Sequence, residues 1–335
     1  MRSWILFIAL GLFFSSCEKN ETALSLNAPG NLTLMQASMG NTYQSLVFVD
    51  LYENKTYSAP YNSFDLAFEA SAQGNRVYLN QAKFMFAGRS GYALMNMADS
   101  TGVNWKTDHE HLYDDSLAMS SYYQNSIFSG EVFIIDRGAY EHSGAERFRK
   151  FKVDTVDANG YQISYSYLDN SGYQTFFIPK NNAYALMYFN FSGGGQLVSV
   201  APPSSKWQLM FGKYIHEYKE EPIGSPFRYY LVTGTLLNRW NQIEAGMLAK
   251  DSLPDYIPFA DLEFGQAQMV QRYTQAAYIG FEWKQFSFST NLYSIVPDRY
   301  YIIKDATGYL YKLRFLDFYD TSGNKGTAIF EYKRF

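Results

Sequence analysis

Residues 300–320 read YYIIKDATGYLYKLRFLDFYD, and the spacing inside this stretch decides what kind of fold the chain adopts. Tyr309, Tyr311, Leu313 and Phe315 alternate with Leu310, Lys312, Arg314 and Leu316. That two-residue period is the signature of a strand with one buried face. The turn-forming run DTSGNKG follows at 320–326, so the chain closes on a hairpin. Upstream, VFIIDRG at 132–138 and FRKFKVDTVDANG at 148–160 read as a worn copy of the same phrase. There, Asn159-Gly160 is a strong hairpin signal, and YQISYSYL continues at 161–168 with Ile163, Tyr165 and Tyr167 on the inward face.

The repetition extends further back. LVFVDLYENKTYSAPYNSFDLAFEAS (46–71) resembles LMYFNFSGGGQLVSVAPPSSKWQLMFGKY (186–214): an aromatic strand, a polar turn, a segment with proline, then Phe64 or Trp207 opening a new strand. Phe64 recurs as Trp207 and Phe133 as Tyr301, so the later unit carries roughly 25 more residues in its middle. Three similar pairs in one order predict two antiparallel all-β units in tandem, the first over 41–180 and the second over 181–335. The boundary is expected at FIPKNNAY (177–184), where Pro, Lys and two Asn interrupt the pattern. Helical periodicity is confined to ADLEFGQAQMVQRYTQAA (260–277).

Composition agrees with a sheet protein. The 335 residues include 30 Tyr and 27 Phe, types favoured on pleated, half-buried surfaces. Most of the tyrosines must be structural, although some could stack on a flat ligand. The formal charge is −4 with both signs dispersed, which leaves no cationic field for a nucleic acid.

The first 17 residues, MRSWILFIALGLFFSSC, place Arg2 before an apolar run that is too short to span a bilayer and ends in small residues before Cys17. This is the pattern of a lipoprotein signal. Residues 1–16 are expected to be removed, leaving Cys17 as the lipid-bearing residue at the head of a polar tether over 17–40. Cys17 is the one cysteine of the sequence, so no intramolecular disulfide can form. Acyl chains gain about 0.8 kcal/mol per buried methylene, enough for two or three of them to hold the protein on a membrane.

Groups that could carry chemistry are few. The four histidines are His109, His111, His142 and His216. DHEHLY puts His109 and His111 on one face if extended, and imidazole suits haem iron or zinc, with Met119 a little downstream. The plainer alternative is a solvated acidic loop around Asp108, Glu110, Asp114 and Asp115. His216 follows the strand opened by Trp207, and His142 lies in a turn-like context. FSGGGQ (191–196) lacks the Lys-Ser/Thr of a phosphate loop, and neither HExxH nor GxSxG occurs. A binding protein, not an enzyme, is expected.

The later unit also carries a family resemblance. KWQLMF (206–211), YYLVTGTLLNRW (229–240), IGFEWKQFSFS (279–289), the stretch 300–320 and NKGTAIFEYKRF (324–335) resemble the HmuY family of Bacteroidetes lipoproteins. The resemblance implies an all-β fold and attachment to the outer membrane. It also implies a haemophore, which holds haem between two histidines, or methionines in some relatives, and passes it to a TonB-dependent transporter. Phe288 stands where that pattern has one histidine, and 241–278 offers only Met247 and Met269. The candidate haem ligands are therefore His109, His111, Met119 and His216. The alternative is an accessory lipoprotein of an outer-membrane assembly that has lost haem ligation. A third reading, an outer-membrane β-barrel, is disfavoured because a barrel has no need of a lipid anchor.

Overall fold

The computed structural model describes residues 30–110, 117–124, 127–251 and 256–335. Cys17 and the signal-like segment lie outside the described residues, as does His111. The strands are β1 (Thr33–Ser38), β2 (Ser45–Asp50), β3 (Lys55–Pro60), β4 (Leu66–Glu69), β5 (Val77–Leu79), β6 (Phe86–Arg89), β7 (Tyr123–Gln124), β8 (Ile127–Phe128), β9 (Val132–Asp136), β10 (Phe148–Val156) and β11 (Gly160–Ser166). They continue as β12 (Gln174–Pro179), β13 (Leu186–Asn190), β14 (Gln196–Val198), β15 (Leu209–Glu217), β16 (Tyr229–Leu237), β17 (Glu244–Ala249), β18 (Lys284–Ser287), β19 (Leu292–Ile295), β20 (Arg299–Lys304), β21 (Leu310–Tyr319) and β22 (Lys325–Arg334). Among the described residues one short α-helix forms, α1 (Phe264–Met269), within the stretch whose periodicity suggested one. The chain is all-β, as its alternation predicts.

Four sheets stack as two sandwiches placed back to back. Sheet I runs β1-β22-β21-β20-β17, sheet II β16-β15-β2-β3, sheet III β14-β13-β4-β5 and sheet IV β12-β11-β10-β9-β6. The two-residue period explains the layering. On β2, Val47 and Val49 enter the core between sheets I and II, while Leu46 and Phe48 enter the one between sheets II and III. On β4, Leu66 and Phe68 face sheet IV and Ala67 faces sheet II. A strand buried on both faces gains the transfer of each side chain from water, about 1.5–3 kcal/mol for a large apolar group. In the first core, Trp283 stacks on Phe315 at 3.9 Å and Phe211 on Phe330 at 5.5 Å.

The expected division into 41–180 and 181–335 does not describe how the sheets assemble. β2 and β3 lie before residue 180 yet join β15 of the later unit, whereas β13 and β14 lie after it yet join β4 of the earlier one. β1 lies inside the stretch 17–40 expected to be a polar tether, yet it pairs with β22 along its whole length and buries Met35 and Ala37, so residues 33–38 belong to sheet I and not to a tether. One sandwich is therefore the continuous stretch β4–β14, and the other is built from β1–β3 together with β15–β22. The reason is edge pairing: β4 and β15 each need a partner strand, and each finds it at the start of the other unit.

The order of elements nevertheless matches position by position. Sheets I and IV have the same sequence of strands, with β6, β9, β10, β11 and β12 standing for β17, β20, β21, β22 and β1. Asn80 donates to the Tyr61 and Phe64 carbonyls at 2.7 and 2.9 Å, and Asn238 donates to those of Ser204 and Trp207 at 2.8 and 3.0 Å. Each asparagine opens a 3-10 turn that ends on a left-handed residue, Phe84 or Gln242. Asp65 accepts the Phe191 N–H at 2.8 Å, and Gln208 accepts that of Leu51 at 2.7 Å.

The β21–β22 hairpin differs from its expectation in one respect. Tyr311, Leu313 and Phe315 do face the core, but Leu310 and Lys312 are buried on the opposite face. Phe259, Leu262 and Ala267 cover that face, and the Lys312 ammonium donates to the Phe259 and Leu262 carbonyls at 2.6 and 3.1 Å.

Candidate functional site

The structure joins two of the four predicted ligand residues. Segment 106–110 is pinned to the first sandwich: Lys106 bridges Ala87, and Thr107 donates to the Met85 carbonyl at 2.7 Å. Buried Asp108 accepts the Leu79 and Ala118 N–H groups, each at 2.7 Å. Burial pushes the Asp108 carboxyl up to about 6. The segment then reaches the edge of β15, where the Glu110 N–H donates to the Ile215 carbonyl at 3.0 Å. A residue of the earlier unit thus completes a site on the later one.

At this junction the Glu110 carboxylate, with its side chain 3% exposed, lies 2.8 Å from His216 Nδ1 and accepts the Glu217 N–H at 3.1 Å. His109 is buried beside it, with Nδ1 4.0 Å from Glu110 and Nε2 3.7 Å from Glu217. Its ring stacks on Tyr229 at 5.9 Å. Glu217 is held in turn by the Arg228 fork at 2.7 and 3.0 Å. The result is a row of alternating imidazoles and carboxylates closed by a guanidinium. The His216 ring meets Tyr218 and Phe281 edge to face at 4.6 and 5.0 Å. It opens on a cleft of about 440 Å³ lined by Tyr214, Tyr273, Tyr278, Phe281 and Glu282.

Two features of this geometry bear on what it could hold. A carboxylate on one ring nitrogen fixes the tautomer and aim of an imidazole, the arrangement that supports metal-ligating histidines. His216 Nε2 makes no hydrogen bond within the described protein. Among the described residues no three His, Cys, Asp or Glu side chains are grouped to hold a bare metal ion. A tetrapyrrole brings four nitrogens of its own and asks the protein for only one or two axial ligands. The residues therefore fit one axial position with aromatic walls.

The remaining candidates do not join this site. Met119 is 1% exposed within the core between sheets III and IV, so it is removed from the ligand set. Met247 packs half-buried against the core of the other sandwich, and Met269 is 85% exposed on α1. Phe288 is 89% exposed beyond β18, at the tip of the β18–β19 hairpin. His142 belongs elsewhere, 3.1 Å from the Lys83 ammonium, and burial lowers its pKa to about 4. Glu110, Glu217 and Arg228 were not singled out from the sequence. No pattern ties Glu110 to a residue on a strand of the other unit, and the acidic run around it reads as solvated.

Comparison with known proteins adds the following. The family model described as HmuY protein matches residues 42–332. No curated protein matches the chain. Among solved structures, apo PinO from Porphyromonas gingivitis has 9% identity and a TM-score of 0.28, with 91% of this chain and 97% of that one covered. An HmuY-like heme binding protein from Bacteroides vulgatus has 9% identity and a TM-score of 0.23, with 90% of each covered. The apo HmuY analog of Tannerella forsythia has 10% identity and a TM-score of 0.25, with 92% and 98% covered. Likeness of shape at this level says nothing about a ligand. The family match spans most of the sequence and does not rest on them: the chain belongs to the HmuY family.

Proposed function

We propose that the protein is a lipid-anchored, non-enzymatic binding protein of the outer membrane that takes up haem, or a comparably flat hydrophobic ligand, at the His216 cleft and delivers it to a transporter. The observation that carries this reading is the buried Glu110 carboxylate on His216 Nδ1 beside an aromatic cleft. Family membership supports it. The anchor rests on the signal-like run ending at Cys17. Haem would bring the iron and its porphyrin plane. His216 would supply an axial nitrogen, Glu110 would orient it, and Tyr273, Tyr278 and Phe281 would shield the ring from water. The matched roles of Asn80 and Asn238 support reading the chain as a duplicated unit whose opening strands are exchanged between copies. Phe288 in the place of a histidine favours the second reading, an accessory lipoprotein that no longer ligates haem.

Haemin titrated into the protein lacking residues 1–29 distinguishes these. The first reading expects a saturable, red-shifted Soret band that His216→Ala weakens at least about tenfold. An unperturbed haemin spectrum, together with a stoichiometric protein partner from solubilised membranes, would favour the second.

A further inference from the structure

A separate cavity lies between sheets II and III, where the two sandwiches meet back to back. It holds about 110 Å³ and is walled by Leu46, Phe48, Phe64, Leu186, Tyr188 and Met210. Two indoles also line it, those of Trp207 and Trp240. Trp207 is 3% exposed, and its Nε1–H and that of Trp240 are both buried without an acceptor among the described residues. A buried N–H left unpaired costs about 1–3 kcal/mol, so two beside one cavity call for an acceptor there. The lining also includes Lys213. Its ammonium sits 3.4 Å over the Tyr61 ring and makes no direct ion pair among the described residues, the Glu141 carboxylate that accepts from the Tyr61 hydroxyl acting on it only through space. Burial lowers its pKa, which is the direction an incoming anion would reverse.

We infer that this cavity binds a small apolar carboxylic acid, its hydrocarbon end between the sheets and its carboxylate shared between Lys213 and the indole N–H groups. The volume limits the acid to a few carbons: a dry cavity of about 150 Å³ accepts a benzene ring, so one of about 110 Å³ takes a short branched aliphatic tail instead. The cavity shares Tyr214 with the His216 cleft, but Lys213, Trp207 and Trp240 do not line that cleft, so the inference does not depend on how the cleft is used.

The test is calorimetric titration of the protein with isobutyrate, with its neutral amide as a paired probe. Isobutyrate is expected to bind saturably and about tenfold more tightly than isobutyramide, and Lys213→Gln should abolish that preference. Trp207→Phe should weaken both probes several-fold. Because Trp207 is deep in the core, thermal melts confirm that the variant folds, and Lys213→Gln, nearer the surface, carries the test if it does not. Ala67→Leu, which fills the cavity, should remove binding of both. Absence of saturable heat with either probe would overturn the inference and leave buried water as the acceptor. Equal affinities in wild type and Lys213→Gln would overturn the role given to the ammonium.

Discussion

The charged cluster under β4 gives a stability prediction whose size follows from its contacts. Asp65 is fully buried, and its carboxylate accepts from Arg137 Nε at 3.1 Å, Arg137 Nη2 at 2.9 Å, the Phe191 N–H at 2.8 Å and the Lys83 ammonium. Both cations are as buried as it is. The backbone is drawn in tightly there: Gly138 has φ +98°, and a Cβ on it would stand 2.3 Å from the Lys83 carbonyl oxygen. Asp65→Asn keeps the shape and the bond to Phe191 but takes from Lys83 its paired carboxylate and leaves Arg137 with only the half-exposed Glu146, 3.4 Å from Nη1. Removing one partner of a buried pair costs about 3–5 kcal/mol. For domains of this size that lowers Tm by roughly 10 °C. Urea denaturation with a parallel thermal melt measures it. Combining Asp65→Asn with Lys83→Met and Arg137→Met should recover most of the loss, because the desolvation of the cations goes with their charge. Gln208 performs the same backbone task in the other sandwich without any charge. The acid limb has a defined sign. Burial raises the Asp65 pKa, but Lys83 and Arg137 outweigh it and hold it below the ordinary value. Its stabilisation is therefore present above about pH 4 and lost as pH falls through the lowered value. A loss below about 1 kcal/mol for Asp65→Asn would mean that the cluster behaves as an exposed ion pair and not as a buried one.

Other expectations follow from the same contacts. Lys284 is buried against Trp283 and Phe318, donates to the Thr233 carbonyl at 2.6 Å, and desolvation lowers its pKa to about 7. Stability should accordingly fall as pH drops from about 10.5 towards 7, because only the unfolded chain takes up the proton there, and Lys284→Met should flatten that limb in melts across pH. Asn80→Ala and Asn238→Ala should each cost about 1–3 kcal/mol in urea denaturation, since each strands two buried carbonyls of equivalent turns. At the cleft, Glu110→Ala should weaken haemin binding more than Glu110→Gln, whose amide oxygen can still accept from His216 Nδ1. Absorbance titration separates orientation from charge in that pair.

The strands were legible because a two-residue alternation reports burial directly. Tyr311, Leu313 and Phe315 point inward as their spacing says, as do Ile163 and Tyr165. Alternation is silent about which strand lies alongside. β2 and β13 read as the openings of their own units, and nothing in their side chains announces that each completes the other unit's sheet. The second buried face of β21 was missed for a related reason: Lys312 looks like a solvent residue until three carbonyls of residues 259–262 gather around its ammonium. At the site, His216 could be named because histidine is rare here, but Glu110 could not. Its value comes from a contact made between the two sandwiches, and sequence spacing carries no record of that.

Haem ligation by His216 is tested most directly by where iron sits in a crystal of the haemin-bound protein, located by its anomalous scattering. A single strong peak is expected within coordination distance of His216 Nε2, with the porphyrin between Tyr273, Tyr278 and Phe281. Iron placed at another side chain, or haemin stacked on the exposed β18–β19 hairpin with His216 untouched, would contradict it.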